Sequence, residues 1–213
     1  MKETLAKADI VSALRKQAAD LTAKADDLRA LDAAIGDGDL GITITIGFQA
    51  VCEALPQLEA ADLSTLLMRS GMAFNRKAAS TFGALYATMM MRAARVAKEV
   101  DAIGATGYAE MLAAAVEGVQ ERGKAQRGDK TMLDALIPAA EAASAAAQAG
   151  ASLAETAERA AAAAEEGARA TVSMKSRTGR ASWFSDRTEG VQDPGATAVS
   201  LMLRSLHEFV AAD

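Results

Sequence analysis

The feature that most constrains the fold of this chain is the helical spacing of its apolar residues. In the first segment, Ile10, Leu14, Leu21, Leu28 and Leu31 recur near multiples of about 3.5 positions, which marks one buried stripe of an amphipathic helix. Alternating runs of β-branched residues, which are typical of strands, are almost missing apart from GITITIG at 41–47. The pattern predicts an all-α fold.

Breaks in this spacing predict eight helices. The GITITIG run is assigned to the start of the second helix, because a lone strand would have no pairing partner here. The alanine-rich segment 139–170 is assigned to two tightly packed helices rather than to a disordered tract, because charged and polar residues interrupt it at helical intervals. The predicted helices span residues 6–34, 41–54, 62–78, 82–99, 106–123, 131–148, 152–173 and 195–211.

The connections between these helices indicate how they pack. Most are short, and short connections place successive helices antiparallel. We therefore expect a single domain over residues 1–213, built as a barrel of about eight antiparallel helices. The exception is the segment 173–195, which ends in Asp193-Pro194, a typical helix N-cap followed by proline. A loop of this length in a compact helical domain is more often functional or disordered than merely connective.

Composition and charge argue against several classes of protein. Hydrophobic residues make up 51% and charged residues 24% of the chain, which is a globular rather than a disordered balance. No apolar run approaches the ~20 residues that span a bilayer. The N-terminal segment has the pattern of an acidic amphipathic helix rather than of a signal peptide, so we expect a cytoplasmic protein without membrane contact. The net charge of −5 argues weakly against nucleic-acid binding.

Two residue types are nearly missing, and this narrows the chemistry. Cys52 is the single cysteine and His207 the single histidine, so an intrachain disulfide is impossible and a zinc site is unexpected. His207 falls in the apolar pattern of the last predicted helix and is interpreted as structural. The remaining reactive groups are carboxylates, lysines, arginines, hydroxyls and backbone amides.

The stretch LDAAIGDGDLG concentrates three aspartates, Asp32, Asp37 and Asp39, around flexible glycines. Asp32 falls in the last turn of the first predicted helix, and Gly36 can end that helix in a left-handed conformation. Three converging carboxylates suit a hard cation such as Mg²⁺, which prefers oxygen ligands. The alternative is an Asp-Gly turn that caps the next helix, and these residues alone do not decide between the two.

Three further stretches could contact an anion. The RGDKTMLDAL stretch at 127–136 and the RKAASTFG stretch at 76–83 each lie at a predicted helix start, where free amides and the helix dipole favour negative charge. The segment 173–195 carries several basic residues. Set over a carboxylate–metal site, such a loop would match a nucleotide polyphosphate bridged by Mg²⁺. Simple capping and a solvated charged surface remain the alternatives.

Taken together, LDAAIGDGDLG, RGKAQRGDKTMLDAL and GRASWFSDRTEGVQDPGATAV resemble the L subunit of dihydroxyacetone kinase over nearly the whole chain. The resemblance implies an all-α barrel of eight antiparallel helices with a Mg–nucleotide (ADP or ATP) at one end. The family transfers a phosphoryl group to a small hydroxyketone that a separate K subunit holds on a histidine. In the phosphotransferase-system version, a third subunit rephosphorylates the bound ADP in place.

The resemblance also implies the roles of individual residues. Asp32, Asp37 and Asp39 match the aspartates that hold two Mg²⁺ ions, and with Arg180 they form the expected catalytic set. The expected nucleotide contacts are Leu40, Gly41 and Thr43 after the aspartates, Ser80, Thr81 and Gly83 in the phosphate-side loop, Gly123 and Met132 at the adenine and ribose, and Arg180, Asp193 and Gly195 in the closing loop.

Three positions depart from the family pattern. Leu40 stands where the family usually has histidine, Thr43 where it has asparagine, and Phe82 where the phosphate-side loop usually has a small residue. The leading hypothesis is a keto-sugar kinase subunit, inactive without its K-type partner, whose acceptor is dihydroxyacetone or another short ketose. One alternative is a nucleotide-binding regulatory paralogue that acts through a partner protein. A metal-dependent phosphatase is the third hypothesis.

Overall fold

The computed structural model describes residues 1–178 and 185–212. Within them almost all of the regular secondary structure is helical, and the predicted all-α class is confirmed. The helices are α1 (Lys7–Ala23), α2 (Ala25–Ile35), α3 (Leu40–Ala54), α4 (Leu63–Lys77), α5 (Thr81–Val96), α6 (Ala105–Gly123), α7 (Leu133–Gln148), α8 (Leu153–Ala170), α9 (Ser185–Thr188) and α10 (Pro194–Ala211), with short 3₁₀ turns at Leu55–Leu58 and Thr171–Ser173.

The long helices pack in an order that returns to its start. Helix α3 packs on α4, α4 on α5, and so on through α8, which packs on α10. Helix α10 then packs on α1, and α1 packs on α3. The connections before α5 and α7 and the segment after α8 line one cavity together with the acidic turn after α2, so these connections lie at the same end of the ring.

Two strands of two residues each were not predicted. Strand β1 (Leu5–Ala6) pairs antiparallel with β2 (Ala102–Ile103), with Leu5 opposite Ile103. Both of these apolar side chains are buried. The pairing fastens the start of the chain to the connection between α5 and α6.

The prediction of one continuous helix over 6–34 was wrong at Lys24. Helix α1 ends at Ala23 and α2 begins at Ala25, because Lys24 adopts φ −103° and ψ 8°, outside the helical region. No glycine or proline marks this break in the sequence. Leu21 and Leu28, one on each side of the break, are both fully buried.

Small residues allow α7 and α8 to lie very close together, which confirms the prediction of ordered helices for the alanine-rich segment. Seven of the alanines there are completely buried. A Cβ atom on Gly167 would stand only 2.1 Å from the backbone oxygen of Asp134, so a larger residue at this crossing would push the helices apart. The completely buried alanines are Ala139, Ala143, Ala146, Ala157, Ala160, Ala161 and Ala164.

An aromatic cluster joins α3, α4 and α5 near the end of the ring that carries the acidic turn. The Phe74 ring lies 5.4 Å from Phe48 and 4.4 Å from Tyr86, measured between ring centroids. Phe82, in the first turn of α5, extends this cluster at 6.3 Å from Phe74. No helix in the described part of the chain combines the length and apolar character needed to cross a membrane.

Candidate functional site

The three aspartates singled out in the sequence come together in space. Asp32 lies in the last turn of α2, and Asp37 and Asp39 lie in the turn that leads into α3. One carboxylate oxygen from each can be chosen so that all three lie within 4.8 Å of one another. Asp32 is half-buried and the other two are exposed, so the cluster opens to solvent on one side.

The backbone of this turn differs from the prediction in one detail. Gly36 ends α2 at φ −146°, which is not left-handed, so that prediction was wrong. The left-handed residue is Gly38, at φ +75°, a conformation that costs glycine little. The backbone N–H of Leu40 then donates to Asp32 Oδ2 at 3.1 Å. This bond ties the start of α3 to the end of α2 and brings the carboxylates together.

The donor set fits Mg²⁺. Three carboxylates this close repel one another, and a bound cation would relieve the repulsion. All the donors are oxygens, and two of the three side chains are exposed, so water or phosphate oxygens can complete the coordination. Mg²⁺ takes this kind of partial protein shell. Asp32, Asp37 and Asp39 are therefore the residues that would hold the ion.

A cavity of about 400 Å³ lies beside the carboxylates. Its polar lining comes from the acidic turn, the start of α5 and the segments around α10, and its apolar lining from α5, α6 and α7. The lining residues include Asp32, Asp37, Asp39, Leu40, Ser80, Thr81, Phe82, Leu85, Val119, Gly123, Lys130, Met132, Ser176, Thr178, Asp193 and Gly195.

Two helix N-termini border this cavity. Ser80 caps α5, where its hydroxyl oxygen accepts from the Gly83 N–H at 3.0 Å. Asp193 caps α10, where its carboxylate accepts from the Ala196 N–H at 2.7 Å, as the sequence predicts. Other amides in these first turns have no partner within their own helix, and the helix dipole adds partial positive charge. The cavity therefore favours anions at the N-termini of α5 and α10, and it favours cations at the acidic turn.

The opposite part of the cavity is apolar. Leu85 from α5, Val119 and Gly123 from α6, and Met132 at the start of α7 line it. A Cβ atom on Gly123 would stand 3.6 Å from the Leu85 side chain, which is ordinary contact. A flat aromatic ring fits this kind of surface, since burying it removes apolar area from water.

A buried lysine forms part of the remaining wall. Lys130 is 2% exposed, and its Nζ donates to the backbone oxygens of Met174 at 3.0 Å, Val191 at 2.6 Å and Thr188. Burial lowers the pKa of Lys130, although the carboxylates of Asp193 and Glu189 oppose the shift. With its three donors satisfied, the ammonium group is held within the wall.

Asp193 is the second buried charge-bearing group beside the cavity. Desolvation raises the pKa of its carboxyl to about 7, and the nearby Asp134 adds to the shift. The Ala196 N–H and the Lys130 ammonium act in the opposite direction. The carboxyl of Asp193 therefore changes protonation near neutral pH.

The cavity gathers most of the predicted site residues, and three of those expected to contact nucleotide do not line it. Gly41 lies against α2, where a Cβ would stand 2.1 Å from the Ala25 backbone oxygen. A Cβ on Gly83 would stand 2.2 Å from the Ala78 oxygen. Thr43 is buried within α3. Close packing accounts for the two glycines without a ligand. Arg180 lies outside the described residues.

Lys130 lies in a stretch that the sequence marked as able to contact an anion, but its burial in the cavity wall was not predicted, nor were Ser176 and Thr178 as wall residues. The bonds of Lys130 reach 44 to 61 positions along the chain, so no local spacing reveals them. One signal was available. A lysine just before a helix start opposes the helix dipole, which suggests that its charge is used elsewhere.

The chain is similar to known proteins in sequence and in fold. The model of the DAK2 domain family matches residues 34–208. The chain is 33% identical over 203 residues to the ADP-binding subunit DhaL of the PEP-dependent dihydroxyacetone kinase of Escherichia coli (strain K12), covering 95% of this chain and 97% of that relative. It is 30% identical to the L-erythrulose kinase of Pectobacterium atrosepticum, covering 98% of this chain but 36% of the longer relative.

A solved structure shares the fold. The dihydroxyacetone kinase of C. freundii, in complex with AMP-PNP and Mg²⁺, superposes with a TM-score of 0.74 at 25% sequence identity. The match covers 95% of this chain and 34% of that chain. The chain thus corresponds in extent to the separate E. coli subunit and to about a third of the longer kinases.

Proposed function

This chain belongs to the DAK2 domain family, and we propose that it is the Mg–nucleotide-binding subunit of a kinase that phosphorylates a short hydroxyketone. The observation that carries the proposal is the acidic cluster at the rim of the cavity, with carboxylate oxygens within 4.8 Å of one another. An apolar wall and two helix N-termini complete a cavity with separate places for metal, phosphate and base. Its relative DhaL is named as an ADP-binding subunit.

Each part of the cavity has a role in this proposal. Phosphoryl transfer depends on positioning and charge neutralisation more than on covalent chemistry by the protein. Mg²⁺, when bound, supplies positive charge that offsets the phosphate oxygens. Asp32, Asp37 and Asp39 hold the metal, which we propose to be two Mg²⁺ ions. Ser80 and Thr81, with the first amides of α5, donate to phosphate oxygens and fix their orientation.

The rest of the cavity orients the nucleotide. Gly123 and Met132, with their apolar neighbours, contact the base and ribose, and Asp193 and Gly195 at the start of α10 close the other side. Arg180 is proposed to stabilise the charge that develops on the transferred group. With these contacts, the base of the nucleotide is shielded from water and its phosphates lie at the open, acidic rim of the cavity.

The acceptor is proposed to lie on a partner. His207 is the single histidine of the chain, and it lies in α10 without lining the cavity. The chain therefore lacks a histidine that could hold a hydroxyketone at this site. A K-type subunit would supply the substrate, and the phosphoryl donor is ATP or, as in a PEP-dependent system, a phosphoprotein. Dihydroxyacetone and a four-carbon ketose are the candidate acceptors.

A reconstitution assay tests this proposal. The chain is mixed with a K-type subunit, Mg²⁺ and ATP, or with a phosphotransferase-system donor and ADP, and sugar phosphate is measured by mass spectrometry. We expect transfer to dihydroxyacetone or L-erythrulose only when the K-type subunit is present. Sugar phosphorylation by the isolated chain would contradict the two-subunit mechanism, and phosphate release without a partner would favour the phosphatase.

A regulatory role is the second candidate, and Leu40 is the observation that favours it. Leu40 is buried and lines the cavity, so it cannot supply the hydrogen-bond donor that a histidine would place there. Phe82 lines the same cavity but packs on the aromatic cluster, so its bulk is partly accommodated away from the phosphates. Nucleotide binding without transfer to any ketose in the reconstitution assay would support this candidate.

A further inference from the structure

We infer that Lys130 is a positioning residue of the nucleotide site. Its ammonium group holds the two limbs of the loop after α8, residues 174–178 and 187–191, and so fixes the cavity wall that these limbs and Asp193 provide. The inference rests on the proposed function, because it concerns how the same cavity holds its nucleotide.

The three bonds of Lys130 connect parts of the loop that are distant in sequence. The Met174 oxygen belongs to the outgoing limb, and the Thr188 and Val191 oxygens belong to the returning limb. An ammonium group has three donors, and here each donor has a backbone acceptor. Hydrogen bonds from a charged donor are stronger than neutral ones, so one side chain joins both limbs to the base of α7.

Other bonds reinforce the same arrangement. The Ser176 N–H donates to Thr188 Oγ1 at 2.9 Å, which joins the limbs directly. The Arg177 N–H donates to the Asp129 oxygen at 3.1 Å, next to Lys130 in sequence. Ser176 is 2% exposed, and both Ser176 and Thr178 line the cavity. The position of this wall is therefore set by the contacts around Lys130.

The local backbone shows that Lys130 is not placed there as a helix cap. It precedes α7 with φ +60°, a left-handed conformation that is unfavourable for a side chain with a Cβ atom. Asp134 accepts the N–H groups of Gly128 and Thr131 in this turn, so capping is done by another residue. The strained conformation directs the side chain of Lys130 toward the loop.

Replacing Lys130 with methionine tests the inference. Methionine keeps the length and apolar stem of lysine but cannot donate to the three oxygens. We expect the K130M variant to bind Mg–ADP on the order of tenfold more weakly by calorimetry, the scale usual for residues that orient binding groups. Trypsin should cleave the folded variant faster after Lys175 and Arg177, as located by mass spectrometry.

Lys16 provides the matched control. It also bonds two partners, Asp20 and Glu208, but it joins α1 to α10 away from the cavity. The K16M variant should bind Mg–ADP within about twofold of wild type, the range expected for a partly exposed ion pair. A purely structural role for Lys130 predicts a lower Tm with unchanged Mg–ADP affinity, so affinity measured well below Tm separates the two roles.

Should K130M fail to fold, a second pair of variants, which leaves Lys130 in place, tests whether the joined limbs set the affinity for Mg–ADP. Thr188→Val removes the oxygen that accepts from Ser176, and Thr188→Ser retains it. We expect weaker Mg–ADP binding for T188V than for T188S at similar stability. Equal affinity in this pair, or a folded K130M variant with wild-type affinity, overturns the inference. Absence of Mg–ADP binding by the wild-type protein overturns the proposed function instead.

Discussion

The acidic turn after α2 and the part of the cavity wall around Lys130 face the same cavity, but their charged groups are in opposite environments. In the turn, like charges gather within 4.8 Å, and Asp37 and Asp39 are exposed to solvent. In the wall, one positive charge is 2% exposed, and backbone oxygens satisfy all of its donors. A bound cation would stabilise the turn, whereas the ammonium group in the wall has its three bonds without any ligand.

This difference suggests that the wall and the turn would contribute to ligand binding in different ways. A wall whose groups are already held by hydrogen bonds would position a nucleotide at little cost in conformational entropy. The acidic cluster does the reverse, since a bound Mg²⁺ would lower the repulsion among its carboxylates. Changes in the turn should therefore affect ligand binding more than folding, and changes that disturb its packing should affect folding first.

The largest expected effect is at the acidic turn. Replacing Asp37 with asparagine removes one metal ligand and one repelling charge. Mg–ADP affinity should fall on the order of a hundredfold, the scale of losing one oriented charged contact in a site. The Tm of the ligand-free protein should stay the same or rise, because repulsion among the carboxylates decreases. Calorimetry and thermal unfolding measure the two quantities.

Asp26 offers the control for this change, because it lies in the same helix as Asp32 and its side chain is 97% exposed. The D26N variant should bind Mg–ADP like wild type. If Mg–ADP still raises the Tm of the D37N variant to the wild-type extent, the assignment of Asp37 as a metal ligand is wrong.

A smaller effect is expected behind the turn, at Gly41. A methyl group there would stand 2.1 Å from the Ala25 oxygen, so Gly41→Ala should destabilise the fold by about 2 kcal/mol through overpacking. Gly123→Ala, on the cavity wall, meets its nearest atom at 3.6 Å and should leave stability nearly unchanged. Urea unfolding compares the two variants. Equal stability for G41A and wild type would show that Gly41 is not needed for helix packing.

The sequence predicts the helices well because their signals are local. Apolar spacing places α3 to α8 within a few residues of their predicted bounds, and the cap at Asp193 follows from the proline after it. The break at Lys24 and the short strands were missed, because packing rather than a glycine or proline produces them.

The site was partly predictable for the same reason. The aspartates lie within eight positions of one another, so their convergence follows from one turn. The role of Lys130 depends on contacts up to 61 positions away, which no local pattern encodes. Gly41 was expected at the nucleotide because of the family resemblance, and its close approach to α2 is a packing contact that the sequence does not reveal.

The most direct test of the account is the dependence of ADP binding on Mg²⁺. Calorimetric titration of ADP into the wild-type protein is carried out with millimolar Mg²⁺ and again with excess chelator. We expect tight binding with Mg²⁺ and a loss of affinity on the order of a hundredfold without it, because the acidic rim then repels the phosphates. Equal affinity under the two conditions would contradict a metal site at Asp32, Asp37 and Asp39.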